Sequence, residues 1–97
     1  MQLNYKVFGE GDPVLILHGM FGTLDNWQTI AKKLAEHVMV FIIDLRNHGR
    51  SPHSDDFDYA IMANDIQEFM ENNWIYEAYV VGHSMGGKVA MQLASEN

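Results

Sequence analysis

Ser84 is the residue of this 97-residue chain whose setting most clearly suits chemistry. It sits in Gly82-His83-Ser84-Met85-Gly86, after the apolar pair Val80-Val81 and at the head of the helical pattern that continues through Lys88-Val89. The spacing G-x-S-x-G puts a serine on a sharp strand-to-helix turn that lifts its hydroxyl above the end of a sheet. Gly82 and Gly86 are expected where a Cβ would collide at the close crossing of strand and helix, and the backbone at Ser84 is expected to be strained. A hydroxyl presented in this way suits acyl transfer: Oγ attacks a carbonyl, and backbone N–H groups hold the charge of the tetrahedral intermediate. One candidate donor is the N–H of Met85, aided by the dipole of the helix it begins. A second glycine cluster, His18-Gly19-Met20-Phe21-Gly22, offers the N–H of Met20, exposed by Gly19 and Gly22 on either side.

These groups meet only if the intervening elements carry them to one rim. Gln2 to Phe8 alternates apolar and polar, as a sheet-edge strand does. After the turn Gly9-Glu10-Gly11-Asp12-Pro13, Val14 to Leu17 is a continuous apolar run, as is Val38 to Ile43; both read as strands covered on two faces. Thr23 or Asp25 can cap a helix with Trp27, Ile30, Ala31 and Leu34 on its inner face and Lys32, Lys33 and Glu36 on the outer. Asp58 can cap another, with Tyr59, Met62, Ala63, Ile66, Phe69 and Met70 in one stripe. Ala78 to Gly82 is the third core strand, and Val89, Ala90, Leu93 and Ala94 mark the buried side of the last helix. Strands alternating with helices predict an α/β fold, a mostly parallel sheet with helices on both faces. The loops at the carboxyl ends of its strands then share a rim. Residues 1–97 read as a single domain without internal boundary, repeat or linker.

Composition narrows the function. Thirteen acids against six Lys and Arg give a net charge of −7. Nucleic acids and anionic membranes call for clustered positive charge, so neither is an expected partner, and a small neutral or cationic ligand fits better. No cysteine means no disulfide, thiolate nucleophile or thiol metal site. The amino-terminal residues are no signal peptide, and the Val38–Ile43 run is too short to span a bilayer, so a soluble, cytoplasmic location is expected.

The order of His18-Gly19-Met20-Phe21-Gly22, Asp44-Leu45-Arg46-Asn47-His48-Gly49-Arg50-Ser51 and Gly82-His83-Ser84-Met85-Gly86-Gly87-Lys88 resembles the amino-terminal half of the α/β-hydrolase family. It looks closest to the small bacterial carboxylesterase and acyl-thioesterase branch. The resemblance implies a serine hydrolase of esters or thioesters that needs no cofactor, with Ser84 as the nucleophile of its elbow. It also implies an oxyanion hole from Met20 and Met85, Phe21 lining the acyl pocket, and an antiparallel Leu3 strand followed by the Val40, Leu15 and Val81 strands. The same frame supports carbon–carbon bond hydrolysis and perhydrolysis. Ser84 itself argues against an aspartate nucleophile.

The family's acid and histidine come later in its chain than any residue here, so the base and acid of Ser84 are expected from elsewhere. Each histidine has a plainer role: His83 on a strand face opposite Ser84, His18 pinning the oxyanion loop, His48 and His53 solvated in a loop, His37 at a helix end. Gly82 to Lys88 also fits G-x-x-x-x-G-K, but a phosphate loop needs Ser or Thr next, where Val89 stands. Asp44 and Arg46 read as holding their turn by hydrogen bonds and a salt bridge, and the histidines show no metal-ligand spacing. Asp55 to Asp58 reads as a solvated loop with a cap. Trp27 and Trp74 read as packing residues, with Trp27 near enough to border a substrate pocket, and the methionines as core filler. The Val80-Val81 strand is expected at an apolar, unpaired edge. Its partner is expected to be the remainder of the hydrolase chain or a second copy, and an inert module acting by association is the alternative to an enzyme.

Overall fold

A computed structural model describes residues 1–96. Four strands form one sheet: β1 (Tyr5–Phe8), β2 (Pro13–Leu17), β3 (Met39–Ile43) and β4 (Tyr79–Gly82), in the order β1-β3-β2-β4. β1 runs antiparallel to β3, while β2 lies parallel to both β3 and β4. The strand order and the antiparallel edge are those the family resemblance implies, although the edge strand starts at Tyr5, after Leu3.

β2 explains the layering. Its continuous apolar run is buried on both faces, with Leu15 and Leu17 on one side and Val14 and Ile16 on the other. The first side packs on α2 (Tyr59–Asn72) and α3 (Met85–Glu96), through Met62, Ile66, Phe69, Val89 and Leu93. The second is covered by Leu24 and Ala31, from a 3₁₀ turn (Leu24–Trp27) that runs into α1 (Gln28–Leu34). Helices therefore lie on both faces.

Several details differ from the sequence pattern. Thr23, rather than Asp25, caps the helical segment: its Oγ1 accepts from the N–H of Asp25, and the Asn26 side chain accepts from the N–H of Thr23 in a capping box. The tighter 3₁₀ winding turns the face, so Leu24 and Ala31 are buried while Ile30 and Leu34 stay exposed. In α3, Ala94 is exposed and Met85 takes part in the core instead. Trp74 is no packing residue: it sits at φ 60 in the turn after α2 with an exposed ring. Asp58 does cap α2, accepting from the N–H of Ile61 at 2.7 Å. No helix among the described residues is long and apolar enough to cross a membrane.

Candidate active site

The carboxyl ends of the three parallel strands are level, because Leu17 pairs with Ile43 on one side and with Gly82 on the other. The segments starting at His18, Asp44 and His83 therefore leave the sheet at the same height. Ser84 has φ 55, in the left-handed region. The glycines around it have no room for a side chain. A Cβ on Gly82 would lie 2.3 Å from the carbonyl oxygen of Gly86, and one on Gly86 would lie 2.2 Å from that of Leu17. Backbone bonds from His83 N to Leu17 O (3.1 Å) and from Lys88 N to Ser84 O (3.2 Å) hold the turn between β2 and the head of α3.

Gly19 brings the first loop against this turn: a Cβ there would meet Ser84 Cβ at 3.4 Å and His83 Nδ1 at 3.0 Å. A cavity of about 350 Å³ opens at the junction, lined among others by Met20, Trp27, Ile30, His83 and Ser84. The Met85 side chain is buried, leaving its backbone N–H at the start of α3. Among the described residues, neither that N–H nor the N–H of Met20 donates to another group of the chain.

Two sequence expectations need correcting at this rim. His83 does not point away from Ser84: β4 ends at Gly82, strand alternation ends with it, and the His83 ring shares the Ser84 cavity, 6.0 Å from the Trp27 ring. It makes no hydrogen bond to Ser84 among the described residues. Phe21 does not line the Ser84 cavity: at φ 63 its ring turns outward, 92% exposed, into a neighbouring cavity. Asn26 and Ile30 also line the Ser84 cavity: the sequence reading did not single out Asn26, and it placed Ile30 on the buried face of the helix rather than at a cavity wall.

The end of β3 braces the loop. Buried His18 accepts from the N–H of Leu45 at Nε2 (2.9 Å), which leaves Nδ1 as the protonated nitrogen, and Nδ1 donates to Gly19 O (2.7 Å). Burial pushes its pKa below the ordinary value, with the bond to Gly19 opposing and His48 adding to the shift. The Asp44 carboxylate accepts from Leu24 N (2.7 Å), Asn4 Nδ2 (2.9 Å) and Arg50 N (3.0 Å). Gly49, at φ 53, leaves the space that this carboxylate fills. Arg46 forms its salt bridge with Asp65 of α2 through two parallel bonds, Nε to Oδ2 (2.8 Å) and Nη2 to Oδ1 (2.9 Å). The hydrogen bonds that Arg46 donates to the Asp65 carboxylate raise the Arg46 pKa. The sequence reading did not single out Asp65; its one signal there is an acid three residues after Met62, beside an apolar stripe. His48 Nδ1 bonds Arg46 O, while His53 and His37 are exposed. No group of acidic or histidine residues that could hold a metal occurs among the described residues.

Comparison with known proteins agrees with this arrangement. Residues 12–97 match the family described as alpha/beta hydrolase fold. The chain is 44% identical over 99 residues to the sn-1-specific diacylglycerol lipase ABHD11 of Danio rerio, covering 97% of this chain and 31% of the relative. Among solved structures, a marine microorganism esterase superposes with a TM-score of 0.96 at 46% identity, covering 98% of this chain and 37% of that one. The epoxide hydrolase CorEH without ligand superposes with a TM-score of 0.95 at 33% identity, over 98% of this chain and 34% of that one. The chain thus spans about a third of the length of these relatives. With the Ser84 turn, the level strand ends and these matches in hand, the chain belongs to the alpha/beta hydrolase fold family.

Proposed function

We propose that this chain carries the nucleophile and oxyanion hole of a serine hydrolase that cleaves carboxylic esters or thioesters through an acyl-enzyme. The observation that carries the reading is Ser84 at φ 55, locked between Gly82 and Gly86 at the head of α3 and facing Met20 across Gly19. Ser84 Oγ adds to the substrate carbonyl carbon, and the carbonyl oxygen becomes an oxyanion held by the N–H groups of Met20 and Met85. Collapse expels the alcohol or thiol, and water then releases the acid. The proton of Ser84 must pass to a base, and among the described residues no histidine is bonded to Ser84; base and acid come from the rest of a longer hydrolase chain. The lipase and esterase relatives support ester chemistry. The test is labelling by a fluorophosphonate in the longer protein that contains this sequence. Stoichiometric labelling lost in Ser84→Ala is expected, and labelling that persists in Ser84→Ala defeats the reading.

The exposed edge at β4 favours a second reading, in which these residues act by association and are inert alone. A groove of about 620 Å³ lined by Met70, Ile75, Val80 and Leu93 runs beside that edge and does not reach Ser84. Fluorophosphonate labelling of the longer protein separates the two: Ser84-dependent labelling is expected of the hydrolase, and a folded sample that takes no label favours the inert module.

A further inference from the structure

Seven methionines and no cysteine leave thioether sulfur as the group of this chain that peroxide oxidises most readily. Burial divides the methionines sharply. Met62 and Met85 are sealed in the core, at 0% and 2% exposed, whereas Met20 is half exposed and Met91 lies open on the outer face of α3. Of these last two, Met20 stands at the rim: it lines the Ser84 cavity and, with Gly22, a second cavity of about 480 Å³, so its side chain is reached from both. The loop holds it there. Gly19 O accepts from both Gly22 N (3.0 Å) and His18 Nδ1 (2.7 Å), and the Thr23–Asn26 capping box fixes the chain that follows.

Oxidation at this position acts on an unengaged donor. The Met20 N–H donates to no other group of the chain among the described residues, which leaves it for the oxyanion. A thioether is a weak acceptor and does not compete for that N–H. A sulfoxide has a strongly polar S–O bond, and its oxygen sits on the same flexible side chain, close enough to fold back onto its own N–H and to set negative charge against the oxyanion. We propose that Met20 is a modification site at which hydrogen peroxide turns down the oxyanion hole of Ser84. The sulfur lone pair attacks one peroxide oxygen, and the O–O bond breaks as the S–O bond forms. Sulfur loses two electrons, and the other oxygen leaves as water with both protons. The proposal rests on Ser84 being the nucleophile of a hydrolase that uses the Met20 N–H.

The test uses the longer protein that contains this sequence. It is treated with limiting hydrogen peroxide, the peroxide is removed, and each methionine is read by peptide mass while the rate of fluorophosphonate labelling at Ser84 is measured. Met20 is expected to gain one oxygen before Met62 and Met85. The labelling rate is expected to fall in step with it by at least about fivefold, since one oxyanion donor is worth about 10²–10³ in rate. Methionine sulfoxide reductases, which restore the thioether, are expected to restore the rate. Met91→Leu is expected to leave both results unchanged, and Met20→Leu, whatever its own starting rate, to keep that rate after peroxide. Met20 oxidised no earlier than Met85, a smaller fall once it is oxidised, or the same fall in Met20→Leu overturns the proposal. A protein that takes no label at Ser84 sinks the hydrolase reading and the proposal with it, and that failure is told apart because it shows before any peroxide is added.

Discussion

At the scale of single residues, the rim is built where no other residue type fits. Gly86→Ala forces a Cβ against the carbonyl of Leu17 and is expected to cost about 1–3 kcal/mol, read as a lower urea midpoint. His18 carries a pH signature. Its folded pKa lies below the ordinary value of 6.5, so the folded state favours the neutral ring. The stability this supplies is complete above about pH 6.5 and is lost as pH falls from there toward the folded value, since the unfolded chain takes up the proton first. Urea midpoints are expected to drop on that acid side, and His18→Gln to flatten the drop. Ser84 and its glycines were legible from spacing alone, because local sterics dictate them. The orientations of His83 and Phe21 were not, since each follows from a backbone that leaves regular geometry, and period-2 reasoning has no purchase there.

At the scale of elements, helix starts and strand runs followed the sequence, and the departures came from contacts distant in the chain. Asp58 caps α2 by a bond within four residues, so it could be read directly; Asp58→Ala is expected to cost about 1 kcal/mol. The partner of Arg46 could not be read so directly, because Asp65 reaches it only once α2 lies against the β3 loop. Arg46→Leu leaves a buried carboxylate unpaired and is expected to cost about 3–5 kcal/mol. The double change Arg46→Leu with Asp65→Leu should recover much of that in a thermal or urea melt. A double variant no more stable than Arg46→Leu alone would show that the strain lies elsewhere.

At the scale of the whole molecule, β4 is the exposed margin of the sheet. Tyr79 and Val81 are exposed on the α1 side of β4, while Val80 faces the groove beside α2 and α3. Association through this edge is expected to appear as a mass above that of one chain in size-exclusion with light scattering. Val81→Lys is expected to restore one chain per particle, as charged edges do; a clean monomer before substitution would rule the association out. The strand order also has a consequence in time. β2 is complete by Leu17, yet it lies inside the sheet and gains its second neighbour only when β4, more than sixty residues later, has been made. The sheet therefore cannot close progressively as the chain lengthens, and parallel pairing over such separations is slow. A chain ended after α2 is expected to melt without a cooperative transition, with the early strands waiting, unsealed, for the segment that carries Ser84.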